Sequence, residues 1–250
     1  MSVYWELRTR IEQAAQRSAV QDFMAQFGQV VQDGPFSGMR YLDKTRDPIL
    51  PKLVGSYEAE IHPWLRSALR QQYRTVIDVG AGEGYYSVGF ALTVPSARVY
   101  AFDTELDQQA ACRKLAKLNG VHERVFVCGE FTRSNFDLIS PFSTLLKMDC
   151  EGAEFQLLDP SLTPALSACD ILVEIHPFIG KPARDLLNRF EHSHTISVVN
   201  RQRRHTKQWP SIQFLSPIKR YASLLEFRWD SDLCWAYLRA KRSDQNKNTP

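Results

Sequence analysis

The sequence predicts an α/β protein: a mostly parallel sheet with helices on both faces, preceded by a helical extension. Three observations lead there. From Thr75 onward, short and nearly continuous apolar runs alternate with helical stretches, as strands buried on both faces do. The run VIDVGAGEGYYSVGFAL (76–92) passes from such a strand through closely spaced glycines into a helix. Before Thr75 the apolar residues instead recur at steps of three and four, the period of one helix face.

The extension, residues 1–74, begins with Leu7, Ile11, Ala15, Ala19, Phe23, Phe27 and Val30 on one stripe, which predicts one long helix or two abutting ones. DGPFSG (33–38) ends it with turn residues. Ser56 is placed to cap a helix starting at Tyr57, and Pro63 must break or restart that helix. The α/β part, residues 75–240, carries strands at TVIDV, ARVYAF (97–102), RVFVCG (124–129), STLLKMD (143–149) and DILVEIH (170–176). Helices are expected from about 86, at 107–119, around 153–159 and at 182–192. TISVVN (195–200) and LCWAYLRA (233–240) read as two late strands around a basic, irregular stretch and a helix near 217–227. The tail 241–250 lacks apolar anchors and is expected to be disordered.

Composition narrows the function classes. At 250 residues the chain can bury a sizeable core. A formal charge of +3 does not by itself argue for nucleic acid. No apolar run approaches the roughly 20 residues of a membrane span, and the polar start MSVYWELRTRIEQ shows no secretory signal. The cysteines at 112, 128, 150, 169 and 234 are odd in number and form no C-x-x-C pair. Free thiols in a cytoplasmic protein are therefore expected.

The glycine turn asks for a ligand that presses on bare backbone. A dinucleotide fingerprint, G-x-G-x-x-G, needs a third glycine at 85, where Tyr85 stands. The spacing here is Asp78-x-Gly80-x-Gly82-x-Gly84, and Asp103 ends the next strand, where an acid takes two ribose hydroxyls. S-adenosylmethionine has no pyrophosphate and does not need the third dinucleotide glycine. Asp78 and the glycine backbone suit its amino-acid end, Tyr85 and Asp149 are further cofactor-binding candidates, and NAD becomes a minor alternative.

VIDVGAGEGYYS, VYAFDTE, VFVCGE, LLKMDCEGAEFQLL and DILVEIHP together resemble the class I S-adenosylmethionine-dependent methyltransferases, and more narrowly the FkbM family of O-methyltransferases. The resemblance runs from about Gly34 to residue 180. It implies a Rossmann-like class I methyltransferase, a seven-stranded sheet with its last strand antiparallel. It also implies a side chain near adenine after the third strand, which makes Glu130 a candidate. Asp103 stands where many members have glutamate.

Asp149 ends the fourth strand, and Glu174 and His176 end the fifth, so all three are expected at the carboxyl edge of the sheet. Methyl transfer to a hydroxyl needs an aligned acceptor and a base. Asp149 or His176 fits that role, His176 having the better-placed ordinary pKa, about 6.5. Asp149, Glu174 and His176 also fit a divalent cation such as Mg or Mn; the metal-free base is the preferred form. Glu154 reads as structural. Cys150 reads as a packed thiol. Tyr57, Glu58 and His62 read either as a lid or as ordinary packing.

The expected function is an S-adenosylmethionine-dependent O-methyltransferase acting on a small-molecule hydroxyl, of a glycan or natural-product intermediate. One alternative is a nucleic-acid or protein methyltransferase using the basic run RQRRHTKQ (201–208). Another is a cofactor-binding module without catalysis. A homo-oligomer is compatible with the sequence.

Overall fold

Seven strands form one sheet in the order β3-β2-β1-β4-β5-β7-β6. They are β1 (Thr75–Val79), β2 (Arg98–Phe102), β3 (Val125–Cys128), β4 (Thr144–Met148), β5 (Asp170–Ile175), β6 (His194–Asn200) and β7 (Cys234–Ala240). The computed structural model that shows this describes residues 3–43, 45, 48–177, 181–227 and 233–242. The first five strands pair in parallel, and β7 runs antiparallel to both β5 and β6. This is the seven-stranded sheet with an antiparallel last strand that the resemblance implied. The central strands β1 and β4 are buried along their whole length, whereas the edge strands β3 and β6 are half-exposed. Their apolar continuity thus reflects cover on both faces.

The chain divides into two units, Met1–Leu65 with Gln202–Trp229 and Arg66–Arg201 with Asp230–Pro250. The second holds the whole sheet. One face buries Ile77, Val79, Leu146, Met148, Ile171, Val173 and Ile175 in a shared core. Because side chains alternate along a strand, Asp78, Lys147 and Glu174 point to the other face.

The first unit is built on α1 (Val3–Phe27), a single helix, not two. The Gly28 N–H donates to the Met24 carbonyl at 2.8 Å and closes it. The segment 202–229 belongs here through its partners. Gln16 donates to the carbonyls of Ala222 and Leu225 at 2.9 Å each, and Lys219 pairs with Asp22 at 2.6 Å. A boundary drawn at 74/75 alone does not separate that segment, because long-range contacts of this kind leave no local pattern.

The stretch 49–69 departs from expectation. Ser56 does not cap a helix at Tyr57. The short helix α2 (Ile49–Val54) precedes it, closed by Gly55 in the left-handed region at φ 85°, and the Ser56 hydroxyl lies 3.4 Å from the Pro51 carbonyl. Glu58 is itself left-handed at φ 49°, so no helix passes through it. A 3-10 turn, Ala59–Ile61, follows it and leads into α3 (His62–Leu69), which has Pro63 in its first turn, where a missing N–H does no harm. Elsewhere α4 (Tyr85–Thr93), α5 (Leu106–Leu118), α6 (Glu154–Leu157), α7 (Ala183–Leu187) and α8 (Pro217–Ala222) stand where periodicity placed helices, the last three shorter than expected. Among the described residues no helix is long and apolar enough to cross a membrane. Residues 243–250 of the expected disordered tail lie outside the described residues.

Candidate active site

The strand order reverses between β1 and β4, and in open α/β sheets ligands bind beyond the carboxyl ends at such a point. Gly80, Gly82 and Gly84 turn the chain there, all at positive φ. Two of them have different jobs. A Cβ on Gly80 would overlap the Asp149 carbonyl, so this glycine lets the turn lie against the end of β4. A Cβ on Gly82 would meet nothing nearer than the Gln108 side chain at 3.9 Å. Gly82 thus leaves room beside its backbone, with only the far end of the Gln108 side chain in contact range, the feature a backbone-hugging ligand needs.

Asp103 braces this turn. Its carboxylate accepts from the Gly82 N–H at 2.8 Å and the Glu105 N–H at 2.9 Å. A carboxylate has about four acceptor positions, so capacity for a diol remains. Glu130 is exposed just past β3. Tyr85 is buried at the start of α4, its ring set edge-on to Tyr86 with centroids 5.3 Å apart.

Asp78 is wholly buried beneath the turn. It accepts from the Ser87 hydroxyl at 2.6 Å and lies 3.3 Å from the Lys147 ammonium. Burial pushes the Asp78 carboxyl up, opposed by Lys147 and Ser87. Burial works to lower the Lys147 ammonium, but Asp78 and Asp149 outweigh it, and the net direction is upward. Lys147 also lies 3.8 Å from Asp149, 3.4 Å from the Gly80 carbonyl and 4.9 Å from the Tyr86 ring centre. Asp78 is therefore turned toward the protein and not toward solvent. Lys147 and Ser87 were missed in the sequence. The signal was there: a lysine inside an apolar strand, flush with an aspartate on the neighbouring strand, must be paired.

Asp149 and His176 come together, with His176 Nε2 at 3.8 Å from Asp149 Oδ1. Glu174, on the face of Lys147, brings a carboxylate oxygen within 4.8 Å of one from Asp149, and the further carboxylate beside His176 Nε2 is Glu151, at 3.5 Å. Asp149, Glu151 and His176 lie close enough to share a cation. Glu151 gets there because it and Gly152 are both left-handed, at φ 56° and 103°, which swings the chain sharply after β4. The same turn returns Glu154, fully buried, to His176. Glu154 accepts from the His176 backbone N–H at 2.7 Å and lies 3.1 Å from His176 Nδ1. Burial pulls the imidazole down, but Glu154, then Asp149 and Glu151, raise it above its ordinary value. Cys150 lies 3.6 Å from Glu154, and burial pushes its thiol far up, which makes it no nucleophile.

The first unit places its own candidates. Lys52 sits 4.8 Å from the Tyr57 ring centre, the Glu58 N–H donates to Glu226 at 2.8 Å, and His62 Nε2 lies 3.0 Å from the Tyr57 carbonyl. In the basic run, Arg204 is enclosed between Glu60 at 3.0 Å and Glu226 at 2.8 Å.

No protein-family model matches the chain. Among curated proteins, the release factor glutamine methyltransferase of Chlorobaculum tepidum is 28% identical over 127 residues, 50% of this chain and 40% of that protein. The match thus spans less than half of that relative's length. Among solved structures, one from Clostridium thermocellum assigned as an rRNA methylase has a TM-score of 0.49 and 13% identity, over 73% of this chain and 94% of that one. The O-methyltransferase TomG of Streptomyces achromogenes, solved with S-adenosylmethionine, has a TM-score of 0.47 and 14% identity, over 70% and 77%.

Proposed function

We propose that this chain is a class I S-adenosylmethionine-dependent methyltransferase that methylates a hydroxyl of a small molecule, a glycan or natural-product intermediate in keeping with its resemblance to the FkbM family. The observation that carries the reading is the Gly82 backbone, half-buried with room beside it and braced by the Asp103 carboxylate. These groups fit the cofactor. Gly82 offers close approach, Asp103 keeps acceptor capacity for a ribose diol, and Glu130 stands exposed where an adenine contact is expected. S-adenosylmethionine, when bound, supplies an electrophilic methyl group, which leaves the protein to orient the acceptor and take its proton. His176 suits the second task, because Nε2 faces the crevice end that Asp149 also lines. Asp149 stabilises the imidazolium that results.

Protein methylation, the activity named for the curated relative, and nucleic-acid methylation are the competing readings. The second is weakened by Arg204, which is spent on Glu60 and Glu226 and is not offered to phosphates.

Calorimetry tests the cofactor: S-adenosylmethionine and its demethylated product should bind, NAD should not, and Gly82→Val should abolish binding. Tight NAD binding by the wild type would sink the reading. A screen of hydroxyl acceptors with labelled donor tests the chemistry. His176→Gln should keep cofactor affinity and lose roughly 10²–10⁴-fold in turnover, the usual worth of a general base, with chelator leaving the wild type active. Activity silenced by chelator and restored by magnesium or manganese would replace the free base with a cation on Asp149, Glu151 and His176.

A further inference from the structure

The turn DCEGAE (149–154) spends two left-handed residues on bringing one carboxylate back under the end of β5. What that carboxylate does there follows from its hydrogen bonds. Glu154 is 0% exposed. Oε1 takes the His176 backbone N–H at 2.7 Å and lies 3.1 Å from Nδ1, while Oε2 takes the Gly152 N–H at 2.8 Å and the Cys150 thiol at 3.6 Å. Despite burial, which works the other way, the bonds from His176 hold its carboxyl below the usual range. An ionised carboxylate only accepts. The ring nitrogen facing it must then be the one that carries hydrogen.

We propose that Glu154 is the positioning residue of the site: it fixes His176 in the form protonated at Nδ1, so that Nε2 alone gains and loses a proton, on the side of Asp149 and Glu151. The functional weight of this rests on the reading of His176 as the base. The tautomer itself does not. The backbone bond from His176 to the same oxygen sets the ring's height, and the ring bond sets its rotation. Asp149 at the end of β4 and Glu151 in the turn are the other charged groups facing the ring, both on the Nε2 side. Neither competes for Nδ1. A buried carboxylate holding one imidazole nitrogen while the other faces reactants is the arrangement that makes a histidine a directional base.

The experiment is nitrogen-15 NMR of the histidine rings in the full chain, with the His176 signal identified by its loss in His176→Gln. Above its titration, His176 should carry hydrogen on Nδ1 and none on Nε2. Hydrogen on Nε2 in the wild type overturns the proposal, whatever the chain catalyses. In Glu154→Gln, checked for folding by its melting curve, His176 should titrate about one pH unit lower or more, because a nearby opposite charge has gone. Its two neutral forms should also mix. With an acceptor in hand, the acid limb of the turnover profile should move down by the same amount while cofactor affinity stays. A folded Glu154→Gln with unmoved titration overturns the proposal, and if that variant does not fold, the wild-type tautomer alone decides.

Discussion

Lys147 and His176 sit at the ends of neighbouring strands, both among carboxylates, and they are treated oppositely. Lys147 is enclosed, with Asp78, Asp149 and the Gly80 carbonyl around it. His176 is held on one side only, and its Nε2 reaches Asp149 and Glu151 at no less than 3.5 Å. Full enclosure turns a charge into framework, since it has nothing left to offer a ligand. Half enclosure leaves one polar atom both oriented and available. The same division separates Gly80, filled against Asp149, from Gly82, whose nearest neighbour is the end of the Gln108 side chain at 3.9 Å.

Substitutions test this division by what they move. Lys147→Ala should have the largest effect, about 3–5 kcal/mol of stability in chemical denaturation, because Asp78 is left as a buried and uncompensated charge. Replacing Asp78 and Lys147 together by leucine should cost less than the single change. If single and double variants melt alike, the pair is not framework. Asp103→Ala, on the open side, should weaken binding of the demethylated cofactor by roughly 1.5–3 kcal/mol, the worth of hydrogen bonds to a charged group, as read by calorimetry. Its melting temperature should fall far less than that of Lys147→Ala.

The smallest effect concerns pH. The His176 proton is held more tightly in the folded chain than in the unfolded one, where it titrates near about 6.5. Its contribution to stability is therefore whole below that value and fades as pH rises through the higher folded value. Glu154 acts in the other direction. Its lowered carboxyl contributes above its unfolded value, near about 4.3, and loses that contribution as pH falls through the folded one. Denaturation of wild type and His176→Gln should accordingly converge toward alkaline pH. A gap that widens there would mean that the imidazole is held neutral.

The sheet was legible because burial on both faces writes continuous apolar runs, and the ends of all seven strands were read to within a residue. The glycine turn was legible from spacing alone, although its glycines' separate duties were not: those depend on Asp149 and Gln108, which are far away in sequence. The closeness of Glu174 to Asp149 was legible from strand-end position, whereas the approach of Glu151 to His176 was not. Strand-end position gives height in the sheet, but Glu151 reaches the imidazole only through the left-handed turn at Glu151 and Gly152, which strand periodicity does not announce. Ser56 misled because a cap residue is recognised by type, and the left-handed Glu58 that prevents a helix carries no compositional mark.

The placing of β7 has a consequence for how the chain can be made. β5 and β6 follow each other in sequence yet never touch, because β7 lies between them. β6 therefore finds no sheet partner until residues 234–240 have been synthesised. A nascent chain short of that point carries β5 with an open edge and β6 as an unpaired ribbon, both exposed to pairing with strangers. Closing the sheet is then a late, long-range event, and truncation just before Cys234 should yield aggregates where truncation just after Ala240 yields a folded protein.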